Sequence, residues 1–265
     1  MLPIALEDEI SVEPAARFAF TCDPATLARD NLVVRAFAAA GASEAPVAVH
    51  LRKVVPIGAG LGGGSSDAGT ILRAAIAGAF GPLGGRDWLA AARSLGSDIP
   101  FFLTGTGALV EGTGERVTAV GRLPPWWIVV LAPAVHVDTG DAYRRLAAAR
   151  ATAPAPTRGR ADSTSIRALE AVQRADFCAA IAAATNDFEP IVAAAYPQVA
   201  AALSTLRAAG APHAMLSGSG GATFALCERE ADARALAARV AVPAGARVFV
   251  VPFARAEGWR TPTAA

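Results

Sequence analysis

Residues 56–66 read Pro-Ile-Gly-Ala-Gly-Leu-Gly-Gly-Gly-Ser-Ser, and five of the seven positions from Gly58 to Gly64 are glycine. That density costs chain entropy and contributes no side-chain packing. It allows a tight backbone turn that presents its N–H groups directly to a ligand. The pattern becomes helical near Ser66-Asp67, so free amides and the positive end of a helix dipole face the loop. The combination is suited to a phosphate group. Ser65 and Ser66 add hydroxyls within reach of phosphate oxygens or of a metal ion. A Walker A loop is excluded, because no lysine follows the last glycine. Gly58, Gly60 and Gly63 satisfy GxGxxG, but a Rossmann unit also needs a second strand ending in an acid about 20 residues on. Here that region carries a helical pattern through Ile71, Leu72, Ala75, Ile76 and Phe80. An ordinary flexible turn needs only one or two glycines.

Two further places carry chemical potential. Asp98 follows a helix stop at Gly96 and precedes Ile99-Pro100-Phe101-Phe102. It reads either as a helix cap or as a carboxylate, set among apolar groups near the anion loop, that orients a hydroxyl nucleophile. Residues 216–221, Leu-Ser-Gly-Ser-Gly-Gly, form a second glycine-rich turn between two strand candidates. By itself this segment reads as a hairpin turn. Lys53 reads as a solvated strand-end charge. His50, His136 and His213 are scattered, and Trp126 and Trp127 read as core.

The elements that must position these groups are legible from periodicity. Strand character runs through Ile4, Ile10, Val12 and residues 18–20, and again through Val47, Val49 and Leu51. Asp30 is the expected N-cap of a helix closed by Gly41, and Asp87 starts another that Gly96 stops. Strands are expected at 108–111, 116–120, 126–131, 214–216, 222–227 and 248–252, with helices at 197–209 and 230–240. Residues 149–162, rich in Pro, Ala and Arg, read as a mobile loop. Strands alternating with helices indicate α/β or α+β layering with a boundary near residue 133. No internal repeat is visible.

Composition sets the outer bounds. The 265 residues suit one large domain or two modest ones. With 53% hydrophobic and 18% charged residues, there is ample apolar surface to bury. A formal net charge of +1 argues against a general nucleic-acid binder, which needs a basic face. The apolar runs 123–137 and 190–206 are short or broken by prolines, so neither suits a membrane span. Cys22, Cys178 and Cys227 are odd in number and far apart, which suggests a reducing compartment and no disulfide framework. The acidic start lacks the features of a signal peptide. The expectation is a cytoplasmic protein, monomer or homodimer, acting on a small molecule rather than on nucleic acid or membrane.

The run from Pro56 to Gly69, PIGAGLGGGSSDAG, resembles the phosphate-binding motif of the GHMP kinase superfamily. The triple glycine with Ser-Ser-Asp resembles the version in the 4-diphosphocytidyl-2-C-methyl-D-erythritol kinase family. Further similarities follow in order at 30–36 (DNLVVRA), 96–102 (GSDIPFF), 186–189 (NDFE) and 216–224 (LSGSGGATF). The resemblance spans nearly the whole chain and implies an α+β, two-domain fold. Residues 1–133 would form a ribosomal S5-like ATP-binding domain and residues 134–265 a ferredoxin-like α/β plait that binds substrate. It implies ATP with Mg²⁺ as phosphoryl donor and the 2-hydroxyl of the cytidine-diphosphate-linked methylerythritol as acceptor. Asp98 then becomes the catalytic aspartate. Pro56, Gly58, Gly60, Leu61, Gly62, Gly63, Gly64, Ser65 and Ser66 take the nucleotide, with Ser65 or Ser66 near the metal. Thr139, Tyr143, Ser217, Gly218, Ser219 and Gly220 take the substrate, Tyr143 matching an aromatic that stacks on cytosine. Another small-molecule GHMP kinase of homoserine or mevalonate type, or a nucleotide-binding protein without catalysis, are the alternatives. The family pattern also implies a lead segment of about 30 residues with a lysine, an asparagine and a Tyr-His pair. Residues 1–10 resemble the segment that follows that lead, so low activity and marginal stability are expected without it.

Overall fold

The computed structural model describes residues 1–152 and 164–254. The chain separates into two compact units, one containing Met1–Val55 and Gly62–Gly121, the other Pro56–Leu61 and Arg122–Ala254. Each contains its own sheet and its own apolar core.

In the first unit, β1 (Glu9–Pro14) and β2 (Ala19–Asp23) precede α1 (Leu32–Ala40) and β3 (Val47–Arg52). β3 lies between the other two, antiparallel to β1 (Ile10 opposite Leu51, Val12 opposite Val49) and parallel to β2 (Phe20 opposite Val49). Asn31, not Asp30, caps α1: its Oδ1 accepts from the Val33 amide at 2.9 Å. A cap needs extended backbone, which Asn31 has (φ −78°, ψ 139°), whereas Asp30 is left-handed at φ 55°. α2 (Gly63–Ile76) starts within the glycine run, four residues before the expected Asp67. Asp87 caps α3 (Trp88–Leu95), its Oδ1 accepting from Ala90 at 2.9 Å. α4 (Ile99–Phe102) and the antiparallel pair β4 (Gly107–Glu111) and β5 (Arg116–Gly121) complete the unit. Val33, Phe37, Leu51, Ile71, Leu72 and Ile99 form the centre of its core. Ile76, expected on the apolar side of α2, is exposed at its end.

The second unit opens with β6 (Trp127–Ala132), followed by α5 (Thr139–Thr152), α6 (Thr164–Gln173), α7 (Phe177–Ala183), α8 (Glu189–Ala195) and α9 (Pro197–Ala208). Then come β7 (Met215–Leu216), β8 (Thr223–Cys227), α10 (Glu230–Arg239) and β9 (Arg247–Pro252). The four strands form an antiparallel sheet in the order β7-β8-β6-β9. β6 is central and reads as a continuous apolar run for that reason. Val129 and Leu131 meet Ala202 and Leu206 of α9 and Ala233 and Leu236 of α10. Because β6 hydrogen-bonds to β8 and β9, it compacts with the second unit, and the division by packing falls after Gly121 rather than at 133. Residues 149–152 of the expected mobile loop are the last turn of α5, and 153–162 lie outside the described residues.

The fold is therefore α+β. No helix among the described residues is long and apolar enough to cross a membrane.

Candidate active site

In the first unit, the exit of the glycine run is the N-terminus of α2. Gly62 is its N-cap, in the left-handed region at φ 70°, and the Ser66 amide donates to Gly62 O at 2.8 Å. That is the first bond of the helix, so the amides of Gly63, Gly64 and Ser65 find no carbonyl partner within it. They form the positive end of a 14-residue helix, with Ser65 and Ser66 half-buried beside them. A side chain at Gly63 would be crowded: a Cβ would stand 3.0 Å from Val55 Cγ1 and 3.3 Å from Asp8 Oδ2.

Asp98 immediately precedes α4 and makes no side-chain cap to it. Its position is set by the four apolar residues that follow. Ile99, Pro100, Phe101 and Phe102 are all buried. Phe102 packs on α2 so closely that a Cβ at Gly69 would stand 2.6 Å from its Cβ. A Cβ at Gly62 would stand 3.1 Å from the Phe102 ring edge. Phe102 thus touches both the loop exit and the middle of the helix, and Asp98 is anchored at the start of the same short element. Asp98 itself is exposed as a residue. Burial of its carboxyl raises the pKa above the ordinary carboxylate value, and a Ser97 hydrogen bond pulls the other way.

Lys53, expected as a solvated charge, is buried instead. Its Nζ donates to Asp67 Oδ2 at 2.7 Å and to Asp8 Oδ2. The side chains of Asp8, Lys53 and Asp67 are 2%, 8% and 5% exposed. Asp8 Oδ1 accepts from the amides of Val54 at 2.6 Å and Val55 at 2.9 Å. Burial pushes Asp67 up to about 7 against the pull of Lys53. For Lys53, burial opposes the charge, but Asp67 and Asp8 together outweigh it and raise the pKa. Asp8 and Asp67 are functional candidates that the sequence reading missed. Asp8 is 45 residues from its lysine, and no local pattern links them.

In the second unit, the entry of the glycine run interlocks with the second glycine turn. Gly60 has φ +75°, and a Cβ there would stand 2.1 Å from Ser217 O and 2.7 Å from Gly220 N. Ser217 Oγ donates to Gly60 O at 2.9 Å, and the Ala222 amide donates to Ala59 O at 2.9 Å. A Cβ at Gly58 would overlap the His136 imidazole. Ser219 Oγ lies 3.5 Å from Thr139 Oγ1. Gly60 is thereby held directly against the 217–220 turn, with Thr139 beside Ser219 and Gly58 against His136. Asn186 supports that turn, its Nδ2 donating to Leu216 O at 2.9 Å and Gly218 O at 2.8 Å. Glu189 adds to it, Oε2 accepting from the Leu216 amide at 2.9 Å. Asn186 and Glu189 carry the motif at 186–189, whose purpose the sequence left open. Tyr143, on α5, is 58% exposed with its ring edge-on to Phe188 at 4.8 Å.

Among the described residues no three His, Cys, Asp or Glu side chains converge on a point where a metal ion could sit. A magnesium ion would rely on substrate phosphates and one or two protein oxygens, the usual manner for that ion. Ser65 and Ser66, beside the free amides of α2, are oxygens of that kind. All three cysteines are free, Cys22 and Cys227 buried and Cys178 exposed.

The model of the GHMP kinases N terminal domain matches residues 31–106, and that of the GHMP kinases C terminal matches residues 168–242. The chain is 41% identical over 238 residues to a 4-diphosphocytidyl-2-C-methyl-D-erythritol kinase of Solidesulfovibrio magneticus, covering 87% of this chain and 77% of that protein. It is 36% identical over 250 residues to the kinase of the same name from Deinococcus radiodurans, covering 91% and 79% respectively. A crystal structure of 4-(cytidine 5'-diphospho)-2C-methyl-D-erythritol kinase superposes with a TM-score of 0.74 at 33% identity, covering 96% of this chain and 89% of that one. With a glycine-rich helix start, an aspartate opening a buried apolar helix and a second glycine turn in that order, the chain belongs to the GHMP kinases and, among them, to the 4-diphosphocytidyl-2-C-methyl-D-erythritol kinase family.

Proposed function

We propose that the chain transfers the γ-phosphoryl group of ATP to the 2-hydroxyl of 4-diphosphocytidyl-2-C-methyl-D-erythritol. The observation that carries this reading is the opening of α2, in a chain 41% identical to a kinase of that name. Three amides and two hydroxyls meet the phosphates there, and the glycines let the helix start pack closely on Phe102, Val55 and Leu32. Pro56, Gly58, Gly60, Leu61 and Gly62–Gly64 shape the backbone, while Ser65 and Ser66 complete the phosphate contacts. Phosphoryl transfer depends mainly on such positioning and charge neutralisation. A magnesium ion beside Ser65 or Ser66 would supply further neutralisation of phosphate charge. Asp98 aligns the nucleophilic hydroxyl, and its raised pKa makes it a better proton acceptor than an exposed carboxylate.

The division of labour we propose is ATP at the opening of α2 and Asp98 in the first unit, and substrate on Thr139, Tyr143 and the 217–220 turn in the second. Tyr143 offers an exposed ring face for a pyrimidine, supported from the side by Phe188. Thr139, Ser217 and Ser219 offer hydroxyls, and Gly218 and Gly220 backbone, to the rest of the substrate. Three free cysteines support a cytoplasmic setting, and near-zero net charge supports action on a small molecule rather than on nucleic acid. The test is ADP release with ATP and each of three alcohols in turn. The cytidine-linked substrate should exceed homoserine and mevalonate at least a hundredfold in kcat/KM. Comparable turnover of either smaller alcohol would overturn the assignment.

A further inference from the structure

Asp8 stands outside every role described so far, yet it binds both flanks of the glycine run. Its Oδ1 accepts from Val54 and Val55, the last residues before the run. Its Oδ2 holds Lys53, which in turn holds Asp67 on the second turn of α2, just after the run. The loop exit passes directly over this cluster, since a Cβ on Gly63 would lie 3.3 Å from Asp8 Oδ2. All three side chains are almost wholly buried, so the arrangement is sterically defined and little screened by water. A glycine-rich segment has no side chains with which to fix its own path, and the conformation presented to an anion must be imposed from beneath. We propose that Asp8 is a positioning residue for nucleotide binding, fixing the strand end that enters the glycine run and, through Lys53, the helix start that leaves it. The proposal rests on the reading that the opening of α2 takes the nucleotide phosphates.

Removing the carboxylate releases two amides and leaves Lys53 with one partner, which frees the loop to sample paths that do not aim its N–H groups at one point. The loss should fall on ATP affinity rather than on the transfer step. In the full chain, Asp8→Ala should raise the KM for ATP and the calorimetric Kd at least tenfold, with kcat at saturating ATP within threefold and KM for the alcohol within twofold. Asp8→Asn retains an Oδ1 acceptor for Val54 and Val55, and should restore part of the affinity, to within about threefold of the wild type. A fall in melting temperature with unchanged ATP Kd in Asp8→Ala would reduce Asp8 to a structural role and overturn the proposal. Should Asp8→Ala fail to fold, Asp8→Asn decides alone: a two- to threefold rise in Kd supports positioning, and an unchanged Kd overturns it. Gly64→Val, measured in parallel, separates the two layers. If it leaves ATP affinity intact the loop reading itself fails, whereas loss of affinity there and none in the Asp8 variants removes only the positioning role.

Discussion

Replacing Gly60 by alanine probes the interlock between the two glycine segments most sharply. At φ +75° an L-residue costs about 1 kcal/mol relative to glycine. The added Cβ would also stand 2.1 Å from Ser217 O and 2.7 Å from Gly220 N, both backbone atoms. Restoring ordinary contact requires the Ser217 carbonyl to withdraw by more than about 1 Å, and overpacking of that kind costs about 1–3 kcal/mol. The withdrawal also strains the Ser217 Oγ to Gly60 O and Ala222 N to Ala59 O hydrogen bonds, each worth about 1 kcal/mol. A total of about 3 kcal/mol follows, or about 6–12 °C in melting temperature for a domain of this size. Gly210→Ala is the control. Its φ is +106°, but the nearest obstacle is the far end of the Arg239 side chain at 3.3 Å, so only the conformational cost of about 1 kcal/mol remains. Both variants can be followed by thermal unfolding through the fluorescence of Trp126 and Trp127 in the same unit. Gly60→Ala should be the less stable by about 2 kcal/mol. Equal destabilisation would mean that residues 56–61 do not lie against the 217–220 turn.

Other expected outcomes follow from the same geometry. Asp98→Asn should lower kcat by about a thousandfold, on the order of 4 kcal/mol of transition-state stabilisation, with ATP affinity within twofold; near-normal turnover would remove Asp98 from the mechanism. Since burial raises the Asp98 pKa, kcat should begin to fall on acidification at a higher pH than an exposed aspartate allows. Tyr143→Ala should leave stability within about 1 kcal/mol, because the ring is mostly exposed, and raise the KM for the cytidine-linked alcohol about tenfold; an unchanged KM would exclude stacking. Asp67, raised from 3.8 to about 7 by burial, binds its proton more tightly folded than unfolded. The unfolded chain therefore carries fewer protons there between pH 4 and 7, and stability contributed by that proton is lost as pH rises through about 7. Asp67→Asn, with Lys53 and Asp8 left facing each other, should flatten the fall in melting temperature between pH 5 and 8, and an unaltered slope would contradict the burial of that carboxylate.

Much of the architecture was legible because it is written locally. The alternation at Val47, Val49 and Leu51 marks β3, Asp87 and Gly96 bracket α3, and the apolar run at 127–132 is the doubly covered central strand. The α2 boundary was misread because Gly63 and Gly64 are poor helix formers, and their helical state is dictated by packing over Val55 and beneath Leu32. Helices α5 to α8 went unassigned: α7 and α8 are short and alanine-rich, with little apolar contrast between faces, and α5 and α6 flank the Pro/Ala/Arg-rich segment that reads as a loop. The candidate site divides in the same way. Its glycines, serines and Asp98 stand out by composition and order. The residues that hold them do not: Lys53, Asp8 and Asp67 meet across 45 and 14 positions, and Asn186 reaches its carbonyls across 30 and 32. Such pairs are products of the tertiary fold, and of the glycines only Gly63, whose missing Cβ leaves room for Val55 and Asp8, traces one of them in the sequence.

The most direct test of phosphoryl transfer to this substrate is phosphorus–proton correlation NMR of the product formed from ATP and 4-diphosphocytidyl-2-C-methyl-D-erythritol by the full chain. The expected spectrum gains one phosphomonoester resonance, attributable to the phosphate on the 2-oxygen, with the diphosphate bridge to cytidine intact and ADP formed in equal amount. A phosphate on any other oxygen, or ADP released with inorganic phosphate and unaltered alcohol, would contradict it.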